Sequence, residues 1–509
     1  MTFEIVFVLL SLLGMVAALI ADKMRPGMIL FSVVVLFLCA GILTPKEMLE
    51  GFSNKGMITV ALLFLVSEGI RQSGTLGQVI KKLLPQGKTT VFKAQLRILP
   101  SVAFISAFLN NTPVVVIFAP IIKHWAKSVN LPATKFLIPL SYVTILGGIC
   151  TLIGTSTNLV VHGMILEAGF EGFSMFELGK VGIFIAIAGI IYIFLFSKRL
   201  LPDARPDTAV PDEEVEEGEK LHRVEAVLGA RFPGINKKLK DFNFQRHYGA
   251  EVKEIKTRNG QRFVSNLEEV VLHEGDTLVV MADDTFIPTW GESSVFVLLT
   301  NGNEPDTTGK KKRWFALLLL VLMIVGATVG ELPITKEMFP DIKLDMFFFV
   351  SITTIIMAWT NLFPARKYTK YISWDILITI ACAFAISKAM VNSGVADSVA
   401  KFIIGLSDDY GPHVLLAMVF IITNLFTELI TNNAAAALAF PLALSISAQL
   451  GVSPTPFFVV ICMAASASFS TPIGYQTNLI VQGIGNYKFT DFVRIGLPLN
   501  IITFLISII

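Results

Sequence analysis

Charged residues are scarce in this chain, at 16% of 509 residues, and it has only four cysteines and six histidines. A soluble domain carries roughly 25% charged residues, so the composition argues against a soluble protein. Cys39, Cys150, Cys382 and Cys462 all fall in apolar segments and are interpreted as small core residues, not as a disulfide framework or a metal centre. No nucleophile–base pair, metal-spaced Cys/His cluster or phosphate-binding glycine loop is found, so an enzyme is not expected.

Hydrophobic residues make up 53% of the chain and gather in long runs. A helix needs about 20 apolar residues to cross a lipid bilayer, and several runs are long enough. Segments near 97–122 and 415–447 have a polar centre between short apolar arms, which predicts re-entrant hairpins that enter and leave by one face. The predicted fold is an all-α polytopic membrane protein. Its ten predicted spans lie near 3–22, 27–43, 57–72, 135–160, 180–198, 313–330, 345–362, 374–391, 456–480 and 494–509.

The apolar sequence repeats itself. Residues 151–163, TLIGTSTNLVVHG, match residues 471–483, TPIGYQTNLIVQG, at an offset of 320. Residues 108–120, FLNNTPVVVIFAP, match residues 429–441, LITNNAAAALAFP, at an offset of 321. Two apolar halves with polar, helix-breaking motifs at matching places are typical of secondary transporters with a site at the bilayer midplane. The two membrane repeats are placed at residues 1–200 and 313–509.

Basic residues predict the orientation of the spans. If the N-terminus lies outside, 22 Lys and Arg residues of the membrane part face the cytoplasm and six face outward. This bias satisfies the positive-inside rule and predicts a cell-membrane protein with both termini extracytoplasmic. Because each half then has five spans, the second repeat is predicted to be inverted relative to the first. The net charge of +2 gives no indication of a nucleic-acid partner.

Residues 201–312 break the membrane pattern. An acidic linker, 201–218, leads into short β-type runs, and a basic linker, 301–312, leads back to the membrane. Asn259-Gly260 lies between two such runs and predicts a hairpin turn. We therefore expect a small α+β domain at 219–300, on the cytoplasmic face.

The inserted domain resembles the C-terminal subdomain of potassium-channel regulatory domains, the RCK-C or TrkA-C type. The most specific element of this resemblance is LHEGDTLVV at residues 272–280. The resemblance implies a module that often dimerises and can bind a small ligand. A structural dimerisation module without a ligand is the alternative.

The polar hairpin tips are the first candidates for a transport site. Residues 110–113, NNTP, offer amides and a hydroxyl, and Pro113 suits the first turn of the following helix. Freed backbone N–H groups at such a helix start can hold an anion. Residues 431–433, TNN, are the counterpart and lead into the alanine run 434–437, which allows close helix packing.

A second pair of motifs follows the tips. Residues 154–158, GTSTN, and 474–478, GYQTN, predict an unwound centre in each span that offers carbonyl and hydroxyl oxygens to a hard cation such as sodium. One motif of this kind serves equally well to join helices through hydrogen bonds. Four motifs in two symmetric pairs favour a binding site, in which Asn158 and Asn478 are further candidate residues.

With these motifs, the membrane part resembles the divalent anion:sodium symporter family, whose members carry Ser-Asn-Thr at both tips and a Gly-Thr-Pro-Pro-Asn type motif after each. In this chain other residues replace the first serine of both tips and both Pro-Pro pairs. The chain resembles the sulfate-transporting branch in its motifs GTSTN, GYQTN and TELITNN and in its inserted domain. The resemblance implies a homodimer in which a transport part moves against a scaffold by an elevator motion. It implies two sodium sites, formed by Ser106, Asn110, Asn111 and Gly154 and by Thr427, Thr431, Asn432 and Gly474.

The sequence therefore predicts a sodium-coupled symporter of a divalent oxyanion, with sulfate preferred. The anion is expected between the two tips without a basic residue, so that its binding depends on co-bound sodium. A sodium/dicarboxylate symporter is the nearest alternative, and an RCK-regulated ion channel is an alternative of another class, disfavoured because a TVGYG-like filter is absent. The predicted substrate contacts are Asn110, Asn111, Thr112, Thr155, Ser156, Thr157, Asn432, Asn433, Tyr475, Gln476 and Thr477.

Three charged residues lie within apolar segments. Glu68 and Lys388 occupy equivalent repeat positions, and structural pairing or snorkelling is the preferred interpretation for both. Glu428 precedes the second tip, and two alternative roles remain open for it: to raise the affinity for a cation or to hold a hairpin arm.

Overall fold

The computed structural model is mostly helical, as the composition predicts. It describes residues 3–21, 24–203, 221–229, 231–257, 261–283, 286–290, 295–300, 310–339, 341–405, 411–472 and 474–509. The helices of the first half are α1 (Phe3–Ala21), α2 (Pro26–Cys39), α3 (Pro45–Glu50), α4 (Lys55–Gln72), α5 (Thr75–Leu83), α6 (Val91–Ser106), α7 (Asn111–Ser128), α8 (Leu137–Gly148), α9 (Ser156–Glu167) and α10 (Gly179–Leu200).

A small antiparallel sheet with two short helices follows the first half. Its strands pair in the order β3-β2-β4-β1-β5. Aromatic side chains, among them Phe232, Phe244 and Tyr248, fill a core separate from that of the membrane helices. The elements are β1 (His222–Leu228), α11 (Phe244–Tyr248), β2 (Glu251–Lys256), β3 (Arg262–Phe263), β4 (Thr277–Ala282), α12 (Phe286–Trp290) and β5 (Phe296–Thr300).

Strands β1 to β4 lie within the predicted β-type runs HRVEAVL, AEVKEIKTRNGQRF and DTLVVMA, and β5 ends one residue beyond the run SVFVLL. The predicted turn at Asn259-Gly260 and most of both linkers, 204–218 and 301–309, fall outside the described residues. The strands on either side of that turn, β2 and β3, do pair antiparallel, with Ile255 opposite Phe263.

The second half repeats the helix order of the first, apart from one additional short helix, α14. Its helices are α13 (Lys310–Gly330), α14 (Pro333–Met338), α15 (Met346–Trp359), α16 (Tyr368–Tyr371), α17 (Trp374–Asn392), α18 (Val395–Gly405), α19 (Pro412–Leu429), α20 (Asn432–Leu450), α21 (Thr455–Ser466), α22 (Gln476–Gly485) and α23 (Phe489–Ile508).

The turns that separate matching helices also correspond. Gly74 precedes α5 with φ of +69°, and Gly394 precedes α18 with φ of +76°. L-residues with a side chain rarely adopt such backbone, which explains why Ser-Gly recurs at both places. The repeat seen in the sequence is therefore a repeat of local structure as well.

Helix packing is reciprocal between the halves. Helix α2 packs on α17, and the counterparts α15 and α4 also pack on each other. Likewise α7 packs on α22, and the counterparts α20 and α9 are in contact. Each half therefore completes the packing of the other.

Several helices have the length and composition of membrane spans. Within the described residues, eight meet both criteria, and the two arms of the second hairpin, α19 and α20, are among them. On α10, Phe184, Ile187, Ile191 and Leu195 form one exposed stripe, as expected of a face that contacts lipid. All ten predicted spans contain a helix, but 135–160 and 456–480 are each interrupted, the first by residues 149–155 and the second by the described residues 467–472 and 474–475.

Candidate functional site

The amide of Asn111 lies at the first hairpin tip, where α6 ends and α7 begins, and it is 1% exposed. In the orientation that satisfies both ends of the amide, its nitrogen donates to Ser106 Oγ at 2.8 Å, Thr144 O at 3.0 Å and Gly154 O at 3.3 Å. Its oxygen accepts from the Tyr475 hydroxyl at 2.5 Å. The amide therefore joins the first tip to both interrupted spans, through Gly154 in one and Tyr475 in the other.

The second tip is arranged like the first, except that Thr431 stands where the first tip has Asn110. Thr427 Oγ1 lies 2.8 Å from Asn432 Oδ1 and 2.6 Å from the carbonyl oxygen of Ala465. Thr431 caps the start of α20, and its buried hydroxyl has no hydrogen-bond partner among the described residues. That oxygen is suited to bind a cation, because a buried polar atom is stable only when it has a partner.

The two broken helices are held open by asparagines. Asn158 Nδ2 donates to Thr151 O at 2.9 Å and Gly148 O at 3.4 Å. Asn478 Nδ2 donates to Ser468 O at 2.8 Å and to the carbonyl of Thr471 at 3.2 Å. These bonds satisfy carbonyls that the helix ends leave unpaired. Asn158 and Asn478 therefore hold the two loops through backbone carbonyls at equivalent positions, and their place at the binding site stays a prediction.

Both glycines predicted as sodium ligands lie where no side chain fits. A Cβ on Gly154 would overlap the carbonyl oxygen of Gly148, and one on Gly474 would overlap Ser468 Oγ. The backbone N–H of each glycine donates to a threonine hydroxyl, Thr151 or Thr471, at 3.2 and 3.3 Å. The carbonyl oxygen of Gly154 lies 3.3 Å from the Asn111 amide nitrogen at the first tip.

Hydrogen bonds between the halves join each tip to the loop of the opposite repeat. Thr112 Oγ1 donates to Gln476 Oε1 at 3.3 Å. Ser156 Oγ and Thr157 Oγ1 each lie 3.3 Å from Asn433 Oδ1. Thr112 and Asn433 are repeat counterparts, so all four motifs meet at one junction.

Tyr475 occupies the middle of this junction. Its hydroxyl lies 2.5 Å from Asn111 and 3.1 Å from Thr155 Oγ1, and it also interacts with Asn432. One side chain thus touches both tips and the first broken helix. The sequence names Tyr475 as a substrate contact but does not reveal this central position.

Two predicted residues lie at the edge of the junction. Asn110 caps α7 and lines a narrow cavity with Ser67 and Ser156 among mostly apolar residues. Thr477 is fully buried, and its Oγ1 lies 2.9 Å from Ser141 Oγ, so its hydroxyl faces α8.

Sequence reasoning missed two contributors from α8. Ser141 supports Thr477 and donates to Asn478 Oδ1 at 2.7 Å, and the carbonyl of Thr144 accepts from Asn111. Both residues lie in an almost wholly apolar helix, where an isolated hydroxyl carries no positional signal.

None of the hydrogen bonds described above involves a charged side chain. The carboxylate of Glu428 lies behind the second tip, apart from these bonds. Its carboxylate accepts from the Asn500 amide at 2.8 Å, the Ser470 backbone N–H at 3.0 Å and Ser468 Oγ at 3.4 Å. Glu68 is paired with Arg71 at 2.7 Å, as the structural interpretation expected, and Lys388 is exposed.

The sequence model of the citrate transporter family, CitMHS, matches residues 16–447 and, in a second match, 335–509. The chain belongs to this family. A relative from Synechocystis, "Uncharacterized transporter sll0640", is 30% identical over 92% of this chain and 90% of its own length. "Probable sodium/sulfate cotransporter 3" of Chlamydomonas reinhardtii is 23% identical over 94% of this chain and 85% of its own.

The fold also has a solved counterpart. The crystal structure of the Alcanivorax borkumensis YdaH transporter covers 100% of this chain and 97% of its own, with a TM-score of 0.53 and 11% identity. At that identity the likeness concerns the fold alone. Family, fold and apolar helices together make this a multi-pass membrane transporter.

Proposed function

We propose that this transporter is a sodium-coupled symporter of a divalent oxyanion, with sulfate as its first substrate candidate. The observation that carries the proposal is the junction of four polar motifs, two from each repeat, joined by reciprocal hydrogen bonds. A site made by equivalent parts of two repeats is the arrangement found in secondary transporters built from such repeats.

Four helix starts converge at the junction. Thr112 and Gln476 lie in the first turns of α7 and α22, and Ser156 and Asn433 lie in the first turns of α9 and α20. Each helix start carries a partial positive charge and unpaired N–H groups. Together they favour a small anion without any basic side chain, and they leave the charge of a dianion to be balanced by co-bound cations.

Sodium is the cation that suits the surrounding oxygens. The carbonyl oxygen of Gly154 and the hydroxyls of Ser106, Thr427 and Thr431 are hard, neutral ligands, and Gly474 is the proposed counterpart of Gly154. Such oxygens bind hard alkali cations weakly enough for release. We assign one sodium to each tip, because the tips are built alike.

The proposed transport cycle is an elevator motion of a homodimer with inverted repeats. The reciprocal packing of α2 with α17 and of α15 with α4 supports a two-fold relation between the halves. Motion of the junction against the remaining helices would expose it to each side in turn. The positive-inside count supports an inserted domain in the cytoplasm.

A citrate or dicarboxylate symporter is the second candidate, and the description of the matched family favours it. Against it stands the name of the Chlamydomonas relative, which specifies sulfate. The junction is also compact: Tyr475 connects both tips and is itself only 8% exposed. A small tetrahedral anion fits such a junction better than an extended carboxylate.

Competition for uptake separates these candidates. Purified protein in liposomes is given labelled sulfate and an inward sodium gradient, with thiosulfate, selenate, citrate or succinate in tenfold excess. We expect thiosulfate and selenate to compete and the carboxylates to have little effect. Stronger competition by citrate would replace the sulfate assignment, and uptake of potassium alone would favour the channel alternative.

A further inference from the structure

One face of the inserted sheet is buried against the membrane helices. Along β1, side chains alternate, so that Val224, Ala226 and Leu228 fill the core of the domain itself. Glu225 and Val227 point the other way, and Val227 joins the core formed by the membrane helices. Strand β1 contacts α22, and β5 contacts α7.

A partly buried ion pair marks this interface. Lys123 Nζ, on α7, lies 2.9 and 3.1 Å from the two carboxylate oxygens of Glu225. Lys256, 3% exposed, lies 3.6 Å from the same carboxylate. Burial raises the pKa of Glu225, but the charges of Lys123 and Lys256 outweigh burial and hold it below the usual glutamate range.

The segment that gives the domain its family resemblance also lies at the interface. Gly275 and Thr277, in LHEGDTLVV, contact Leu479 and Gly483 of α22. A Cβ placed on Gly483 would lie 3.5 Å from the Thr277 Cβ and would overlap its hydroxyl. The absence of a side chain at Gly483 is what lets the strand approach this closely.

The helices on which the domain docks lead directly to the junction. Helices α7 and α22 begin there and are linked through Thr112 and Gln476. The chain also joins the domain to the end of α10 and to the start of α13. The domain is therefore tied to two further helices as well as to the two that begin at the junction.

We propose that the inserted domain is an autoinhibitory clamp, which holds α7 and α22 in the present conformation and must release them for transport. The proposal rests on the proposed function, because it concerns motion of the same junction. A contact made in only one conformation lowers the free energy of that conformation and slows its conversion. The contacts of Glu225 with Lys123 and of Thr277 with α22 are of this kind, because the chain also ties the domain to α10 and α13.

A reversible crosslink tests the clamp directly. In a background with Cys39, Cys150, Cys382 and Cys462 replaced by serine, Thr277→Cys and Gly483→Cys are combined. The 3.5 Å Cβ separation suits a disulfide, whose Cβ atoms lie about 3.8 Å apart. We expect oxidation to shift gel mobility and to slow sulfate uptake at least tenfold, with recovery on reduction.

Two results of this experiment would overturn the clamp. If no crosslink forms, the domain does not dock on α22. If the crosslinked protein transports as fast as it does after the disulfide is reduced, the domain moves together with the junction and does not restrain it. Each single-cysteine variant serves as the control for oxidation. Absence of sulfate uptake in every sample would instead contradict the substrate assignment, and citrate then becomes the probe for the same crosslink.

Charge removal gives a second, independent test. Lys123→Gln and Glu225→Gln should each raise the uptake rate severalfold, because both remove the pair between Lys123 and Glu225. The double variant should match Glu225→Gln, which also removes the contact with Lys256. Lys127→Gln, an exposed position on the same helix, is the matched control and should leave the rate unchanged. Unchanged or lower rates in both single variants would contradict the clamp.

The direction of the Glu225 pKa sets the pH dependence. Because the pKa of the docked carboxylate is lowered, the pair stabilises docking above the ordinary glutamate pKa of about 4.3 and is lost as pH falls below it. Acidification from pH 8 to pH 6 should therefore not raise the uptake rate by releasing the domain. An increase that disappears in Glu225→Gln would show that this ion pair titrates in the neutral range.

Discussion

The two membrane halves share a framework and differ in what they place at the junction. Ser106 with Asn111 and Thr427 with Asn432 make the same short contact, 2.8 Å, at the two tips. Yet Thr155 in the first half corresponds to Tyr475 in the second, whose hydroxyl reaches both tips.

Further differences lie behind the junction. Glu428 corresponds to Ala107, and Asn500 corresponds to Lys180, so the carboxylate network exists in the second half alone. The backbone bond beside it is shared: Thr151 Oγ1 donates to the backbone oxygen of Ala107, and Thr471 Oγ1 donates to the backbone oxygen of Glu428. The symmetry thus belongs to the backbone and the tips, while Tyr475 and Glu428 are present in the second half alone.

Loss of either tip asparagine should have the largest effect. Asn111→Ala and Asn432→Ala are each expected to abolish sulfate uptake, because both remove an amide that joins several partners, at about 1–3 kcal/mol for each partner left unpaired. Uptake in liposomes measures the effect, and expression with size-exclusion profiles is the control for folding. If either variant transports normally, the site is not at this junction.

The next largest effect is expected at Tyr475, which stands in the second half where the first half has Thr155. Tyr475→Phe keeps the ring and leaves the Asn111 oxygen without its donor, so the KM for sulfate should rise roughly tenfold, equivalent to about 1.4 kcal/mol. Thr155→Val removes a weaker contact, 3.1 Å long, and should raise the KM less. Equal effects of the two variants would show that the halves contribute alike.

Sodium dependence should respond more modestly to the tip hydroxyls. Ser106→Ala and Thr427→Ala are each expected to raise the sodium concentration for half-maximal uptake severalfold, or about 1 kcal/mol. The effect of Thr427→Ala should be the larger, because this hydroxyl contacts both Asn432 and Ala465. The measurement is a sodium titration at fixed ionic strength, with choline as the replacement cation. A shift in sulfate KM without a shift in sodium dependence would contradict the assignment.

The smallest effect is expected at Glu428, if its role is to hold the hairpin arm. Glu428→Gln keeps one acceptor oxygen for the Ser470 N–H, so uptake and its sodium dependence should stay near normal. Glu428→Ala removes both acceptors and should lower thermal stability. A strong loss of sodium dependence in Glu428→Gln would show that the charge itself binds a cation.

The amount of the fold that could be predicted depends on the type of signal. The repeated motifs fixed the positions of the tips and of both helix breaks, since Asn158 and Asn478 recur with their loops. The strands of the inserted domain followed from alternation, as in β1.

What could not be predicted rests on tertiary contacts. Ser141 supports the second loop from an apolar helix of the first repeat, 336 residues away from Thr477. The docking of LHEGDTLVV on α22 depends on Gly483, whose role is visible only when the opposing strand is in place. Neither contact leaves a periodic or local mark in the sequence.

Sodium-driven accumulation of sulfate tests the central claim most directly. Liposomes containing the purified protein receive labelled sulfate at fixed pH, with an inward gradient of sodium or of choline. We expect sulfate to accumulate above its external concentration with sodium, and to lose that accumulation when the sodium gradient is collapsed by an ionophore. Equal sulfate uptake with choline in place of sodium would contradict sodium coupling at this junction.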